Sequence, residues 1–262
     1  MYVRRATSAL VAVALSVGFT GCGSGAATPV RTAGLEGAIT VSAAVSLTDS
    51  FTELAKQFRT DNPKVKVQLN FGSSSSLVAQ IQAGAPADIM ASADLGNIEK
   101  LVDSGHVVGR NYPKVFARNS MAIAVKPGNP LDIKTVADLA SAKFVALCGK
   151  TVPCGIYAAS VIARAGISIA ESKVTRGVDA KATLGAVATG DADAAVVYYT
   201  DVVAAKKSVL VVNIPQSQNV NAVYGIAPIR GSKNLAVAEA FIAFALSDTG
   251  QKILQAYGFE RL

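Results

Sequence analysis

Residues 39–58 read ITVSAAVSLTDSFTELAKQF, and the rest of the chain repeats what this stretch does. Ile39, Thr40 and Val41 open a short apolar strand that continues through Ala43, Ala44 and Val45. Phe51, Leu54, Ala55 and Phe58 then fall at i, i+3, i+4 and i+7, which predicts the buried face of an amphipathic helix. Between strand and helix lie Ser46, Thr48, Asp49 and Ser50, residue types that cap helix starts. A helix that begins at the carboxyl end of a strand aims unpaired N–H groups, and the positive end of its dipole, at one point. Such a point holds an anion.

The same unit recurs along the chain. Residues 64–71, KVKVQLNF, alternate as a strand with one wet and one buried face, and the serine run 73–76 leads into a helix beginning at Leu77. GAPADIMASAD, residues 84–94, reads as a turn, a short buried strand over 88–91 and a helix cap, with Asp88 fixing the preceding Ala-Pro turn. A helix around Ile98, Leu101 and Val102 is closed by Gly105. Further strands are expected over 120–125, 143–148, 194–199, 209–214 and 220–228, with a weak one over 172–175. Helices are expected near 135–140 and over 155–165, 180–188, 235–246 and 251–257. Strands alternating with helices imply an α/β fold. About 220 mature residues with this many short strands fit two lobes, each a mainly parallel sheet flanked by helices. In such sheets ligands bind outside the carboxyl ends of the strands, so the site belongs in the cleft between lobes.

The first 22 residues read as a targeting signal, not as part of the fold. Arg4 and Arg5 form a charged head, and the apolar run 9–17 is too short to cross a bilayer, which takes roughly 20 residues. Gly21-Cys22 at its end is similar to the bacterial lipoprotein signal, which makes Cys22 the lipidated mature N-terminus; Phe19 stands where Leu is usual, and plain secretion is the alternative. Residues 23–37, rich in Gly, Ala, Ser and Thr, form a flexible tether. The protein is therefore expected outside the cytoplasm, lipid-anchored to the outer face of the cell membrane. Its formal charge of +7 falls to +5 without Arg4 and Arg5, and no basic run or basic–aromatic interleaving suggests a nucleic-acid surface.

Of the other cysteines, Cys148 and Cys154 lie six apart across a loop holding Gly149 and Pro153. In an exported chain a local disulfide is expected, with free thiols as the alternative. A metal pair is disfavoured because the one histidine, His106, is far away in sequence and reads as a solvent residue near a helix end.

The loops at the strand ends offer hydroxyls and backbone N–H groups, with no arginine at their centres. Fixed dipoles can hold a dianion without a counter-ion. They also select. A fully deprotonated tetrahedral oxyanion only accepts hydrogen bonds, whereas the proton of hydrogen phosphate would be buried unmet, costing about 1–3 kcal/mol. Asp49 and Asp179 are the nearby carboxylates, and both are read as serving helix starts. Taken singly, Ser46 and Thr48 would be helix caps, the serine run a loop, and Tyr198 and Tyr199 core aromatics.

Taken in order, AAVSLTDSF, FGSSSSLVAQI, GAPADIMASAD, VPCGIYA and AAVVYYTD, with a terminal GQKILQAYGF, resemble the molybdate-binding ModA family, extracytoplasmic receptors of ABC importers. The resemblance spans the chain from Ile39 onward; the GAPAD block and terminal helix are shared with receptors for other tetrahedral anions. It implies a type II periplasmic-binding-protein-like fold whose two lobes close on the ligand. It implies, residue by residue, ligand contacts from the hydroxyls of Ser46 and Ser74, the backbone N–H groups of Cys154 and Ala180, and the hydroxyl of Tyr198, with Tyr199 as fallback. Cys154 stands where the family more often has Ala, which leaves a backbone donor in place. Family topology puts lobe crossings near Arg118 and Tyr224, giving residues 38–118 plus 225–262 as one lobe and 119–224 as the other.

The expected function is to bind molybdate, and also tungstate, and deliver it as a monomer to a membrane permease with its ATPase. No cofactor and no enzymatic activity are expected. The alternatives are a receptor for sulfate, thiosulfate or another tetrahedral oxyanion, and a secreted hydrolase on the same scaffold. The hydrolase would need a base beside a nucleophile or a metal cluster, and neither is legible.

Overall fold

The computed structural model describes residues 34–262. The signal segment 1–22 with Cys22, and residues 23–33 of the tether, lie outside the described residues. In chain order the elements begin with β1 (Gly37–Ala44), a 3-10 turn (Val45–Leu47), α1 (Thr48–Asp61), β2 (Val65–Gly72), α2 (Ser74–Gln82), β3 (Ile89–Ser92) and α3 (Leu95–Asp103). They continue with β4 (Lys114–Asn119), β5 (Met121–Val125), β6 (Val145–Cys148), α4 (Pro153–Arg164), β7 (Val174–Gly177), α5 (Ala180–Ala188) and β8 (Ala194–Tyr198). The last are α6 (Tyr199–Ala204), β9 (Leu210–Asn213), β10 (Ala222–Pro228), α7 (Leu235–Leu246) and α8 (Asp248–Ala256).

The strands form two five-stranded sheets, ordered β2-β1-β3-β10-β4 and β7-β6-β8-β5-β9. Both sheets are mixed. β1 pairs in parallel with β2 and β3, and β6 with β7 and β8, whereas β10 and β5 pair antiparallel with both of their neighbours. The antiparallel strands are those through which the chain passes between sheets. By strand membership the first passage falls between Asn119 and Met121 and the second between Asn213 and Ala222. Asn119, next to Arg118, ends β4, and residues 222–224 pair with β4 in the first sheet.

Local sequence explains the elements that matter for the site. α1 buries Phe51, Leu54, Ala55 and Phe58, the face read from its periodicity. Phe51 meets Phe116 edge-on at 5.6 Å, and Phe58 meets Phe241 at 5.2 Å. Central strands β5 and β8 are buried at every residue, as continuous apolar runs require. The hydrophobic core runs unbroken from one sheet to the other, and the rings of Tyr198 and Tyr224 meet across the junction at 5.9 Å.

Several expectations are corrected. None of Ser46, Thr48, Asp49 and Ser50 caps α1, because the 3-10 turn leads into the helix: Thr48 Oγ1 donates back to Val45 O at 2.5 Å and Ser50 Oγ to Leu47 O at 3.2 Å. The segment near 135–140 is only a 3-10 turn, Ala137–Ser141, tied by Asp138 Oδ2 accepting from the N–H groups of Lys134 and Thr135. β4 and α6 were not expected at all. Asp88 does not serve the Ala-Pro turn. Its Oδ2 accepts from Thr40 N at 2.7 Å, and its Oδ1 accepts from the hydroxyl of Ser232, so one half-buried carboxylate joins β1 to the segment after β10.

Asp88→Ala therefore strands a donor on each side. We expect unfolding in urea to occur about 1–3 kcal/mol more easily; an unchanged midpoint would remove this carboxylate from the account of the fold.

Candidate anion-binding site

Three helices start at one place. α2 begins at Ser74, α4 at Pro153 and α5 at Ala180, each directly after a strand or its short loop. The first N–H groups of a helix have no acceptor within the helix, so each start presents free donors. The two β-α-β layers bring these starts, together with the 3-10 turn carrying Ser46, around one small cavity of about 20 Å³. Ser46, Ser74, Cys154, Ala180 and Tyr198, the five residues expected from sequence, all line it, joined by Ser73 and Asp179 among others. Tyr199, the fallback, does not.

Each hydroxyl reaches the cavity by a different local device. In the serine run, Ser73 is the N-cap, accepting from Ser76 N at 3.3 Å, so Ser74 is free to face inward. Ser74 Oγ accepts from the backbone N–H of Ala93 at 3.0 Å, which occupies a lone pair and leaves its own proton for the cavity. Ser46, released from capping, lies 2.9 Å from the hydroxyl of Tyr224. Tyr198, at the end of β8, is 2% exposed and its hydroxyl has no hydrogen-bond partner among the described residues. Burial, and then the neighbouring Tyr224, push its phenol well above the usual range, so it keeps its proton.

The Cys154 loop is held tightly. Cys148 at the end of β6 and Cys154 in the first turn of α4 are joined by a disulfide, with Cα atoms 5.7 Å apart. A Cβ at Gly155 would lie 2.0 Å from the carbonyl oxygen of Gly149, so only glycine lets α4 start this close to the end of β6. Gly177 plays the same part at α5, where a Cβ would collide with the backbone of Thr183 at 2.7 Å.

The cavity wall carries no lysine or arginine. Its one carboxylate, Asp179, is the N-cap of α5 and accepts from Ala182 N at 2.8 Å. What the wall offers is therefore a set of neutral donors at helix ends, suited to an acceptor-only anion. A larger cavity of about 170 Å³ adjoins it, sharing Val45 and Ser46 and reaching Asp49, Lys181, Asp201 and Tyr257. Asp201 is half-buried as a residue, but its Oδ2 is cut off from solvent and unpartnered among the described residues. Burial, then the nearby carboxylates of Asp179 and Asp49, raise its carboxyl from 3.8 to about 7, against the opposing effects of the Tyr198 N–H and Lys181.

Residues 39–260 match the family model for bacterial extracellular solute-binding proteins. The chain belongs to this family. It is 34% identical to the molybdate-binding protein ModA of Mycobacterium tuberculosis, over 97% of each chain. It is 30% identical to a putative ABC transporter substrate-binding lipoprotein, YvgL of Bacillus subtilis, over 84% of this chain and 85% of that one. Its fold superposes on the periplasmic molybdate-binding protein of Azotobacter vinelandii with a TM-score of 0.77 at 21% identity, covering 86% of this chain and 99% of that one.

For a solute-binding protein the two-lobed arrangement is itself informative, because the cavity draws on both sheets. Sequence reasoning missed the groups behind the hydroxyls: Ala93, which fixes Ser74, and Tyr224, which meets Ser46 from 178 positions away. No local pattern marks a partner at that separation.

Tyr198→Phe removes a hydroxyl with no partner among the described residues, so the ligand-free thermal midpoint is expected to hold or rise, since a buried unmet hydroxyl costs about 1–3 kcal/mol. A clear fall would mean that the hydroxyl is satisfied within the folded chain. Asp201 has a second, pH-dependent signature. A carboxyl raised in the folded state stabilises fully below its unfolded value and loses that contribution as pH climbs through its folded value. Unfolding free energy should thus decline between about pH 4 and 7, and Asp201→Asn should flatten the decline in urea titrations across that range.

Proposed function

We propose that this solute-binding protein captures molybdate, and also tungstate, outside the cytoplasmic membrane and hands it to the permease and ATPase of an ABC importer. The observation that carries the reading is a wall of neutral donors: three helix starts and the hydroxyls of Ser46, Ser73, Ser74 and Tyr198 surround a cavity with no cationic side chain, and its one carboxylate, Asp179, already caps α5. A proton-free tetrahedral dianion fits such a wall, and the likeness to molybdate-binding relatives along the whole chain supports molybdate among such anions. In this reading Ser46, Ser74 and Tyr198 donate through hydroxyls, and Cys154 and Ala180 through backbone N–H groups. The ligand bridges both lobes and stabilises their closed arrangement by its differential contacts with it. The protein acts as a monomeric receptor without catalysis, tethered through a lipid on Cys22.

Calorimetric titration with molybdate, tungstate, sulfate and phosphate tests the reading. Molybdate and tungstate are expected to bind most tightly and phosphate least. Ser46→Ala and Ser74→Ala should each lose about 1.5–3 kcal/mol, one charge-assisted hydrogen bond. Tighter binding of sulfate than of molybdate would reassign the substrate, and unchanged affinity in both variants would take these serines out of the site.

A further inference from the structure

Ser46 differs from Ser74 in one respect that bears on selectivity. Ser74 Oγ faces a backbone N–H, which can only donate, so its polarity is fixed. Ser46 Oγ faces the hydroxyl of Tyr224, which can donate or accept. Something further back must decide which way that bond runs.

The deciding group is Asn119, at the end of β4. Its Oδ1 accepts from the backbone N–H of Ser120 at 3.0 Å. This orients the amide, since the reverse placement would set two donors against each other. Nδ2 then spends its two protons on Thr200 Oγ1 at 2.9 Å and on the Tyr224 hydroxyl at 3.2 Å. An amide nitrogen cannot accept, so the Tyr224 oxygen accepts there and its proton goes to its remaining neighbour, Ser46 Oγ. Burial holds the Tyr224 phenol far above its usual range, so that proton stays available. Asn119 is 1% exposed and Tyr224 fully buried, which keeps water from scrambling the chain of donors.

We propose that Asn119 and Tyr224 are positioning residues for anion selectivity: the amide sets the direction of the Asn119–Tyr224–Ser46 chain so that Ser46 spends a lone pair on Tyr224 and keeps its proton for the ligand. This rests on the reading of the cavity as an oxyanion site and deepens it. An oxyanion without protons gains from a wall that only donates. Hydrogen phosphate needs at least one acceptor, and the chain withdraws the acceptor that a freely rotating Ser46 would supply.

The test uses the full protein in mildly alkaline buffer, where molybdate and hydrogen phosphate both carry two negative charges. Asn119→Asp keeps the shape but puts an acceptor where Nδ2 was, so Tyr224 turns its proton toward the carboxylate and Ser46 turns lone pairs toward the cavity. The added charge weakens both anions alike and cancels in their affinity ratio. That ratio is expected to move toward hydrogen phosphate by about tenfold or more in Asn119→Asp. Tyr224→Phe, which keeps the buried ring and frees Ser46 to rotate, should move it the same way by less, about three- to tenfold. Thermal melts verify folding, and if the Asp variant does not fold, Tyr224→Phe decides alone. A wild-type ratio in a folded Tyr224→Phe protein, or in both variants, overturns the chain of donors while leaving the oxyanion site intact. Wild-type protein that binds no tetrahedral oxyanion would instead overturn the proposed function, and this inference with it.

Discussion

A small cavity walled largely by neutral hydrogen-bond donors, with no cationic side chain among its lining residues, is the constraint from which the rest of the architecture follows. Donors of this kind cannot be supplied by flexible side chains alone, because a buried donor that can swing away will do so. They come instead from helix starts, whose N–H groups are fixed by the helix itself. Bringing three such starts together requires three strand-to-helix turns at the same edge, and hence strands running in the same direction beneath them. The parallel pairings of β1 with β2 and β3, and of β6 with β7 and β8, supply that geometry from two separate sheets.

The antiparallel strands do a different job. β4 and β10 end one sheet where β5 begins the other, and side chains at this seam serve both sheets. Asn119 reaches Thr200 beyond β8 as well as Tyr224 on β10. Tyr224, Tyr198 and Tyr157 meet edge to face in a row, with centroid separations of 5.9 and 6.3 Å. Packed rings of this kind favour discrete arrangements over gradual ones. The seam thus links Thr200, beyond β8, through Asn119 and Tyr224 to the hydroxyl of Ser46 by a continuous run of hydrogen bonds.

Much of this was legible in the sequence, and the reasons separate cleanly. Periodicity gave the buried face of α1, and the bounds of α5 and α7 agree with those read from residue pattern, since apolar spacing and end residues point the same way there. The five cavity-lining residues were carried by family motifs, each short and local. What failed was anything decided at long range. Ser46 and Thr48 carry capping chemistry, yet a 3-10 turn took over that role; Asp88 looks like a turn residue, yet its partners are Thr40 and Ser232. β4 escaped notice because KVFARN mixes charges with its two buried apolar residues, and its place is set by pairing with β10. The Ser46–Tyr224 contact could be found only in three dimensions.

The unanswered hydroxyl of Tyr198 carries a consequence for the empty state. Among the described residues that hydroxyl is both dry and unsatisfied. On the proposed reading, a cargo that answers this phenol favours the arrangement that buries it, so occupancy and closure are tied through one hydroxyl.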